Sequence, residues 1–201
     1  MATSRISHFR ISHFRVSHFP ELSCGYYTPV GYRARAGTAS RSISSVPSAL
    51  GPADGFDPAT TGLILVDHGS RRAESNTLHE RTVRAWRDSG GPTIVEAAHM
   101  ELAEPSIATA FDACVAQGAT TVVVAPWFLG PGRHWDRDIP ELTAAAAARH
   151  PGVRYLVTAP LGPHPLLFEI VEDRVRQCLA HTADGAPECE SCAGTSRCRM
   201  S

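Results

Sequence analysis

From residue 62 onward, short apolar runs alternate with segments whose apolar positions recur at helical spacing. Four runs of five or six residues are rich in Val, Ile, Leu, Thr or Ala and are bounded by turn-forming residues, which predicts β-strands. The predicted strands cover residues 62–66, 93–98, 120–125 and 153–158. The predicted helices cover residues 72–88, 105–117, 138–149 and 166–179.

This alternation predicts right-handed βαβ crossovers and therefore a parallel sheet. We expect one α/β domain in which helices flank a four-stranded parallel sheet. Ligands of such open sheets bind beyond the carboxyl ends of the strands. The loops that follow the strands are therefore the place to look for chemistry.

The N-terminal segment lacks the alternation and differs from the rest of the chain in charge. Residues 1–50 carry six Arg and one acidic residue, whereas residues 51–201 carry 13 Arg and 19 acidic residues. A five-residue unit, Arg-Ile/Val-Ser-His-Phe, occurs three times over residues 5–19, a period that fits neither a strand nor a helix. An Arg- and Ser-rich segment with almost no acids is typical of an organellar transit peptide, and a disordered basic tail is the alternative. The composition does not choose between plastid and mitochondrion.

The composition of the whole chain excludes several function classes. A net charge of −1 argues against a general nucleic-acid binder, and no apolar run reaches the length of a membrane-spanning helix. All 19 basic residues are Arg, so a Gly-x-x-x-x-Gly-Lys phosphate loop is excluded. The part of the chain after the leader, about 150 residues, is the size of one domain.

Histidine occurs in each of the loops that follow the first three predicted strands. These loops cover residues 67–71 (DHGSR), 99–106 (HMELAEPS) and 126–135 (PWFLGPGRHW). The first and third loops place His68 and His134 toward one crevice, and the second adds His99 or Glu101. Imidazole and carboxylate ligands together suit a first-row divalent metal such as Fe, Co or Ni. A single histidine in a turn is more often structural, so the prediction depends on the three loops together.

The order and spacing of these loops, with Ala159–Gly162 after the fourth strand, resemble the short class II chelatases over residues 62–201. More narrowly, the chain resembles the plant-type sirohydrochlorin ferrochelatases. The resemblance implies that Fe²⁺ is inserted into the tetrapyrrole sirohydrochlorin, with release of two protons, to form sirohaem. Members of this family pair two half-size domains, so the resemblance also implies a homodimer, and its plant type implies the plastid stroma.

The resemblance also implies roles for individual residues. His68 and His134 match the two family histidines that bind the metal or accept pyrrole protons, and Glu101 matches the family carboxylate. Arg71 and Arg133 are candidate partners for the substrate's carboxylates, with surface ion pairs as the alternative.

The remaining loop residues have weaker assignments. Gly132 is expected to let the backbone pass close to a flat macrocycle. His99 is either a further ligand or a structural histidine, and Glu104 is interpreted as a structural residue at a helix start. Three aromatic residues are candidates for stacking on the macrocycle: Trp127, Phe128 and Trp135. For Phe128, packing in the core is the default expectation.

Four of the six cysteines lie near the C-terminus with the spacing C-x10-C-x2-C-x5-C: Cys178, Cys189, Cys192 and Cys198. On spacing alone, four thiolates fit Zn²⁺ or an iron–sulfur cluster equally well. Disulfide bonds are a third alternative, which the reducing interior of an organelle disfavours. The plant-type ferrochelatases carry this pattern around a [2Fe–2S] cluster, so the resemblance implies that cofactor. Cys24 lies in the leader, and Cys114 is expected to be a small buried side chain.

These predictions divide the chain into a leader at 1–55, a chelatase domain at 56–182 and a cluster-binding tail at 183–201. Insertion of Co²⁺ into the same tetrapyrrole stays open, because ligand type does not separate Co²⁺ from Fe²⁺. A non-catalytic iron–sulfur carrier or sensor is a second alternative. A phosphoryl transferase similar to the histidine phosphatases is disfavoured, because Asp67 stands where those enzymes have Arg.

Overall fold

The computed structural model describes residues 49–189 and 192–195. Its strands are β1 (Thr61–Asp67), β2 (Ile94–His99), β3 (Thr121–Pro126) and β4 (Arg154–Val157). Its α-helices are α1 (Ala73–Asp88), α2 (Ile107–Ala116), α3 (Ile139–Ala147) and α4 (Pro165–Asp184). Two shorter turns complete the elements, a 3₁₀ turn at Pro52–Asp54 and a π-helical turn at His134–Asp138 that leads into α3.

The sheet is parallel throughout and has the strand order β2-β1-β3-β4. The predicted four-stranded parallel sheet is therefore confirmed. β1 is flanked by β2 and β3, so the three histidine-bearing loops leave neighbouring strands at the same edge. In the register of this sheet, Asp67 at the end of β1 is paired with His99 at the end of β2.

Helices pack against both faces of the sheet. On one face α2 and α3 enclose a core that contains Phe111 and Ile139, both fully buried. On the other face α1 packs Val83 against Leu63 and Leu65 of β1. β1 is thus buried on both sides, as the central strand of a parallel sheet is expected to be. Such burial fixes the strand ends from which the candidate site residues extend.

The last helix leaves its apolar side chains in solvent. Phe168, Val171, Val175 and Leu179 recur at helical spacing along α4, and each is between 53% and 69% exposed. This helix does not pack against the sheet as α1, α2 and α3 do. Leu156 of β4 is also 56% exposed. We call the four α4 side chains together with Leu156 the apolar patch; exposed apolar side chains in such number are typical of an interaction site.

The bounds of most predicted strands and helices agree with the observed bounds to within a few residues. The differences have local causes. α2 begins after Ser106 rather than at Pro105, because the Ser106 hydroxyl accepts a hydrogen bond from the backbone of Thr109 and caps the helix. α4 continues past Leu179 until Gly185, which adopts a left-handed conformation.

The predicted leader up to residue 48, and Cys198 in the tail, lie outside the described residues. The proposed domain boundaries therefore stay predictions. Among the residues that the structure describes, no helix combines the length and hydropathy needed to cross a bilayer.

Candidate metal centre at the carboxyl edge of the sheet

Three of the predicted site residues come together at the carboxyl edge of the sheet. His68 follows β1 directly, Glu101 lies just beyond β2, and His134 opens the π-helical turn after β3. The His68 Nε2 atom is 3.1 Å from the Glu101 Oε1 atom. The rings of His68 and His134 meet edge to face with centroids 5.1 Å apart. The three side chains are 44%, 51% and 41% exposed, so they form an open site.

Both ring nitrogens of His68 face hydrogen-bond acceptors. Nδ1 lies 3.2 Å from the carbonyl oxygen of Gly69, and Nε2 lies 3.1 Å from the Glu101 carboxylate. Carbonyl and carboxylate oxygens only accept, so each ring nitrogen can only be the donor in its contact. A metal ion at Nε2 would take the place of a proton there, with the Glu101 carboxylate next to it.

Asp138 orients the ring of His134. The Nδ1 atom of His134 is 2.8 Å from Oδ2 of Asp138. This hydrogen bond is the main reason why the pKa of Asp138 lies below its usual value, and the charge of Arg133 adds to the effect. Since the ionised carboxylate only accepts, Nδ1 of His134 is the donor, and in the neutral ring Nε2 then keeps its lone pair. That lone pair can bind a metal ion or take a proton.

The site is not a preformed metal cage. Within residues 49–189 and 192–195, no three His, Cys, Asp or Glu side chains are arranged around a common metal position. His68 and Glu101 instead contact each other. An ion bound between the two side chains would take the place of that contact.

The residues predicted to contact substrate lie on the same strand-end loops as this centre. Arg133 is 79% exposed, and its Nε atom is 3.4 Å from the Asp138 carboxylate, so the ion pair considered as an alternative is present. Arg71 is exposed in the loop that leads into α1. A Cβ added at Gly132 would meet no atom within 4 Å, so the packing of the chain itself does not require glycine there.

His99 and Glu104 have structural surroundings. His99 is fully buried, and its Nδ1 atom is 2.6 Å from the Asp67 carboxylate, so the structural reading of His99 is the one the geometry supports. The Glu104 carboxylate accepts hydrogen bonds from the Ser106 backbone at 2.7 Å and the Thr109 hydroxyl at 2.8 Å. These two bonds are the largest reasons why the pKa of Glu104 lies below its usual value.

The aromatic candidates differ in their availability to a ligand. Phe128 packs against the core beneath α3, and the Trp135 indole donates to the Thr158 carbonyl at 2.8 Å. Trp127 is 47% exposed. The structure adds three exposed leucines on the strand-end loops that the sequence reasoning missed: Leu102, Leu129 and Leu161.

The cysteine-rich tail is described only in part. Cys178 lies on α4, and the carbonyl oxygen of Cys189 accepts hydrogen bonds from the backbones of Cys192 and Ala193, both at 2.9 Å. A turn of this kind is what a C-x2-C chelating pair needs. In the described part of the tail the thiols are not gathered around a common metal position. The donor chemistry thus fits a cluster, while a four-cysteine site stays a prediction.

Comparison with known proteins identifies the family. A family model described as CbiX matches residues 62–178. This chain belongs to the CbiX family. It is 58% identical over 139 residues to the chloroplastic sirohydrochlorin ferrochelatase of Arabidopsis thaliana, covering 69% of this chain and 62% of that protein. It is 32% identical over 114 residues to the sirohydrochlorin ferrochelatase of Bacillus subtilis, covering 57% of this chain and 44% of the relative.

A relative named for cobalt rather than iron is also similar to this chain. The sirohydrochlorin cobaltochelatase of Priestia megaterium is 32% identical over 115 residues, which cover 57% of this chain and 37% of the relative. The matched region thus spans from 37% to 62% of the length of these three relatives. The resemblance predicted from the strand-end loops is confirmed at the level of the family.

Solved CbiX structures share the fold. The sirohydrochlorin chelatase SirB of Bacillus subtilis subspecies spizizenii, in complex with cobalt, matches with a TM-score of 0.55 and 32% identity. That match covers 58% of this chain and 50% of SirB. A CbiX protein of Marinobacter aquaeolei matches with a TM-score of 0.53 and 32% identity, covering 61% of this chain and 99% of that one.

Proposed function

We propose that this CbiX protein is a sirohydrochlorin ferrochelatase, which inserts Fe²⁺ into sirohydrochlorin to form sirohaem. The observation that carries the proposal is the meeting of His68, Glu101 and His134 at the carboxyl edge of the sheet, with His68 and Glu101 only 3.1 Å apart. The names of the plant and Bacillus relatives support both the tetrapyrrole and the metal.

In the proposed reaction, one Fe²⁺ ion replaces two pyrrole protons of the tetrapyrrole. Fe²⁺ is held by imidazole nitrogens and one carboxylate, a set weak enough to give the ion up to four pyrrole nitrogens. As the ion leaves, the Nε2 lone pairs of His68 and His134 become free. These lone pairs accept the two pyrrole protons that the incoming Fe²⁺ displaces. The cycle closes when His134 gives its proton to water and the protonated Nε2 of His68 again donates to Glu101; the proton on His68 leaves to water when the next Fe²⁺ binds.

The surroundings of the centre suit a flat, acidic macrocycle. Leu102, Leu129 and Leu161 are 53%, 71% and 36% exposed on three of the strand-end loops, where they offer apolar contact to a tetrapyrrole face. Arg71 and Arg133 are exposed cations within the same set of loops. Arginine is suited to the substrate's carboxylates, because its guanidinium forms paired hydrogen bonds with them.

Cobalt insertion is the second candidate. A Priestia cobaltochelatase is 32% identical, and one solved relative binds cobalt. The ligand types at the centre accept either ion. We favour iron because the relative with 58% identity is a ferrochelatase.

The active unit that we propose is a homodimer with the tetrapyrrole between two copies. The chain matches half of Bacillus SirB but nearly all of the Marinobacter protein, so a single unit of this size occurs as a separate protein. The apolar patch on α4 and β4 supplies surface that a second copy can bury. A 20-residue helix is about 30 Å long, enough for a substantial part of a stable interface.

The tail and the leader complete the proposal. We assign Cys178, Cys189, Cys192 and Cys198 to a [2Fe–2S] cluster, on the basis of their spacing and the turn at Cys189. Such a cluster supplies one-electron chemistry when bound. A carrier or sensor built only on the cysteines would leave the histidines at the sheet edge without a role. The plastid stroma is proposed as the location, supported by the chloroplastic plant relative and by the acid-poor leader.

An anaerobic insertion assay tests the activity. The full chain is given sirohydrochlorin with Fe²⁺ or Co²⁺, and sirohaem formation is followed by its absorption spectrum. We expect insertion by the wild type and its loss in His68→Ala and His134→Ala, with circular dichroism unchanged. His150→Ala, at the opposite edge of the sheet, is the control. Full activity in both site variants, or an inactive wild type, would contradict the proposal.

A further inference from the structure

A partly buried hydrogen bond joins the two strand ends that lead to the proposed metal centre, and it has no part in the proposed reaction. The Oδ1 atom of Asp67 accepts from Nδ1 of His99 at 2.6 Å and from the backbone of Gly69 at 2.9 Å. Asp67 ends β1 and His99 ends β2, so the bond joins the two strands at their last paired residues. His68 and Glu101, two of the proposed ligands, extend from these same strand ends.

Among the described residues, the His99 ring makes one side-chain hydrogen bond, the bond to Asp67. His99 is fully buried, and among the described residues its Nε2 atom has no hydrogen-bond partner. The nearest charged group to Nε2 is the Glu80 carboxylate, whose Oε1 atom is 3.8 Å away, beyond hydrogen-bond distance. The neighbouring His79 ring points its Nε2 at the Leu65 carbonyl at 3.1 Å. The Asp67 carboxylate is therefore the hydrogen-bonding group that orients the His99 ring within its packed surroundings.

The backbone continues this pairing into the loops. The Met100 backbone donates to the Asp67 carbonyl at 2.9 Å, and the Glu101 backbone donates to the His68 carbonyl at 3.2 Å. The chain at Gly69 also runs close to Glu101: a Cβ added there would lie 2.0 Å from the Glu101 carbonyl oxygen. The two loops thus lie against each other from the strand ends as far as the ligands.

We propose that Asp67 and His99 are positioning residues, which hold His68 and Glu101 at metal-binding separation. The inference rests on the proposed function of the centre. His68 and Glu101 are 44% and 51% exposed, so packing around their own side chains does not fix them. The bond between Asp67 and His99 adds a side-chain link to the backbone bonds that join the two loops carrying them. Groups of this kind behind metal ligands commonly change metal affinity tenfold to about a hundredfold.

Three substitutions separate positioning from stability. His99→Leu removes the donor to Asp67 and keeps an apolar side chain in the buried position. His99→Asn restores the donor, because the amide nitrogen of asparagine lies close to where Nδ1 of histidine was. His150→Leu is the control: it removes a second histidine–aspartate bond of 2.6 Å, between the more exposed pair His150 and Asp112, away from the site.

The measurement is a Co²⁺ titration of each full-length protein, followed through the NMR signals of the His68 and His134 rings. These signals report the sheet edge and not the cysteine tail. We expect His99→Leu to weaken Co²⁺ binding at these rings about tenfold or more. His99→Asn is expected to recover most of the affinity, and His150→Leu to match the wild type.

Several results would overturn the inference. These are unchanged affinity in His99→Leu, equal weakening in His99→Leu and His99→Asn, equal weakening in His150→Leu, or no Co²⁺ effect on the two rings of the wild type. Failure of the proposed function looks different. A wild type that binds Co²⁺ at these rings but inserts no metal would contradict the ferrochelatase assignment and leave the positioning role in place.

Discussion

The carboxylate of Asp138 lies 2.8 Å from Nδ1 of His134, and this contact decides which nitrogen of the ring is left for a ligand. Both residues belong to the π-helical turn between β3 and α3. Turns of this kind recur at functional sites, where they displace side chains from the regular helical positions. Here the turn holds the acceptor and the ring in one rigid unit.

Asp138→Asn is expected to weaken metal insertion tenfold to about a hundredfold without unfolding the protein. The asparagine amide can donate to Nδ1 of His134, which moves the ring proton to Nε2 and removes the lone pair that binds metal. Steady-state insertion rates measure the effect. Asp136→Asn, an exposed change of equal charge on the same turn, is the control. Equal losses in the two variants would mean that charge alone, and not ring orientation, matters.

Gly69→Ala is expected to abolish insertion and to lower the free energy of unfolding. Gly69 has a φ of +80°, and its added Cβ would lie 2.0 Å from the Glu101 carbonyl oxygen. Gly118→Ala provides the comparison, because Gly118 has a φ of +100° but open space around an added Cβ. Both variants carry left-handed strain of about 1–2 kcal/mol. Denaturant unfolding and insertion assays compare the two variants. If backbone strain alone caused the loss at Gly69, both variants would lose activity to the same extent.

Val175→Glu in the apolar patch is expected to convert a dimer into monomers, because a buried carboxylate without a partner is costly at an interface. Light scattering after size-exclusion chromatography measures the mass. Leu78→Glu places the same charge at an exposed leucine of α1 and is expected to leave the dimer intact. A wild type that is already monomeric at micromolar concentration would contradict the proposed dimer.

Cysteine substitutions test the cluster independently of catalysis. Cys189→Ser is expected to remove the visible absorption of anaerobically purified protein, together with its bound iron and acid-labile sulfide. Cys114→Ala is expected to keep all three, because Cys114 is fully buried in the core. Zinc without sulfide in the wild type would show that the tail binds a different metal.

Alkylation of the folded protein provides a further check on Cys114. Burial, aided by the negative charge of Glu96, raises the pKa of the Cys114 thiol to about 12. At pH 8 the thiolate is then about one part in ten thousand of the total, so iodoacetamide should leave Cys114 unmodified until the protein unfolds. Mass spectrometry of peptides measures the modified fraction of Cys114. Rapid modification under native conditions would contradict the expected protection.

The sequence was sufficient to predict the sheet and the three converging loops, because strand periodicity and β-branched runs are local signals. It placed His68, Glu101 and His134 at one edge for the same reason. The role of Asp138 was missed, although its spacing from His134 is a usable signal, because the π-helical turn departs from regular helix geometry. The surroundings of His99 could not be predicted. They depend on the register between β1 and β2, which brings Asp67 beside it only in the folded chain.

The apolar stripe of α4 illustrates a different limit. Its helical spacing predicted a helix, and the helix is there, but spacing does not reveal what the apolar side contacts. Periodicity alone would have assigned the apolar side of α4 to the core. In the structure this side faces solvent.

The central claim is that one metal ion binds among His68, Glu101 and His134. The most direct measurement is an anomalous difference map from crystals of the full chain soaked with Co²⁺. The account predicts a peak about 2.1 Å from Nε2 of both histidines, with the Glu101 carboxylate as a further ligand. A peak at the cysteine tail alone, or none at this edge of the sheet, would contradict it.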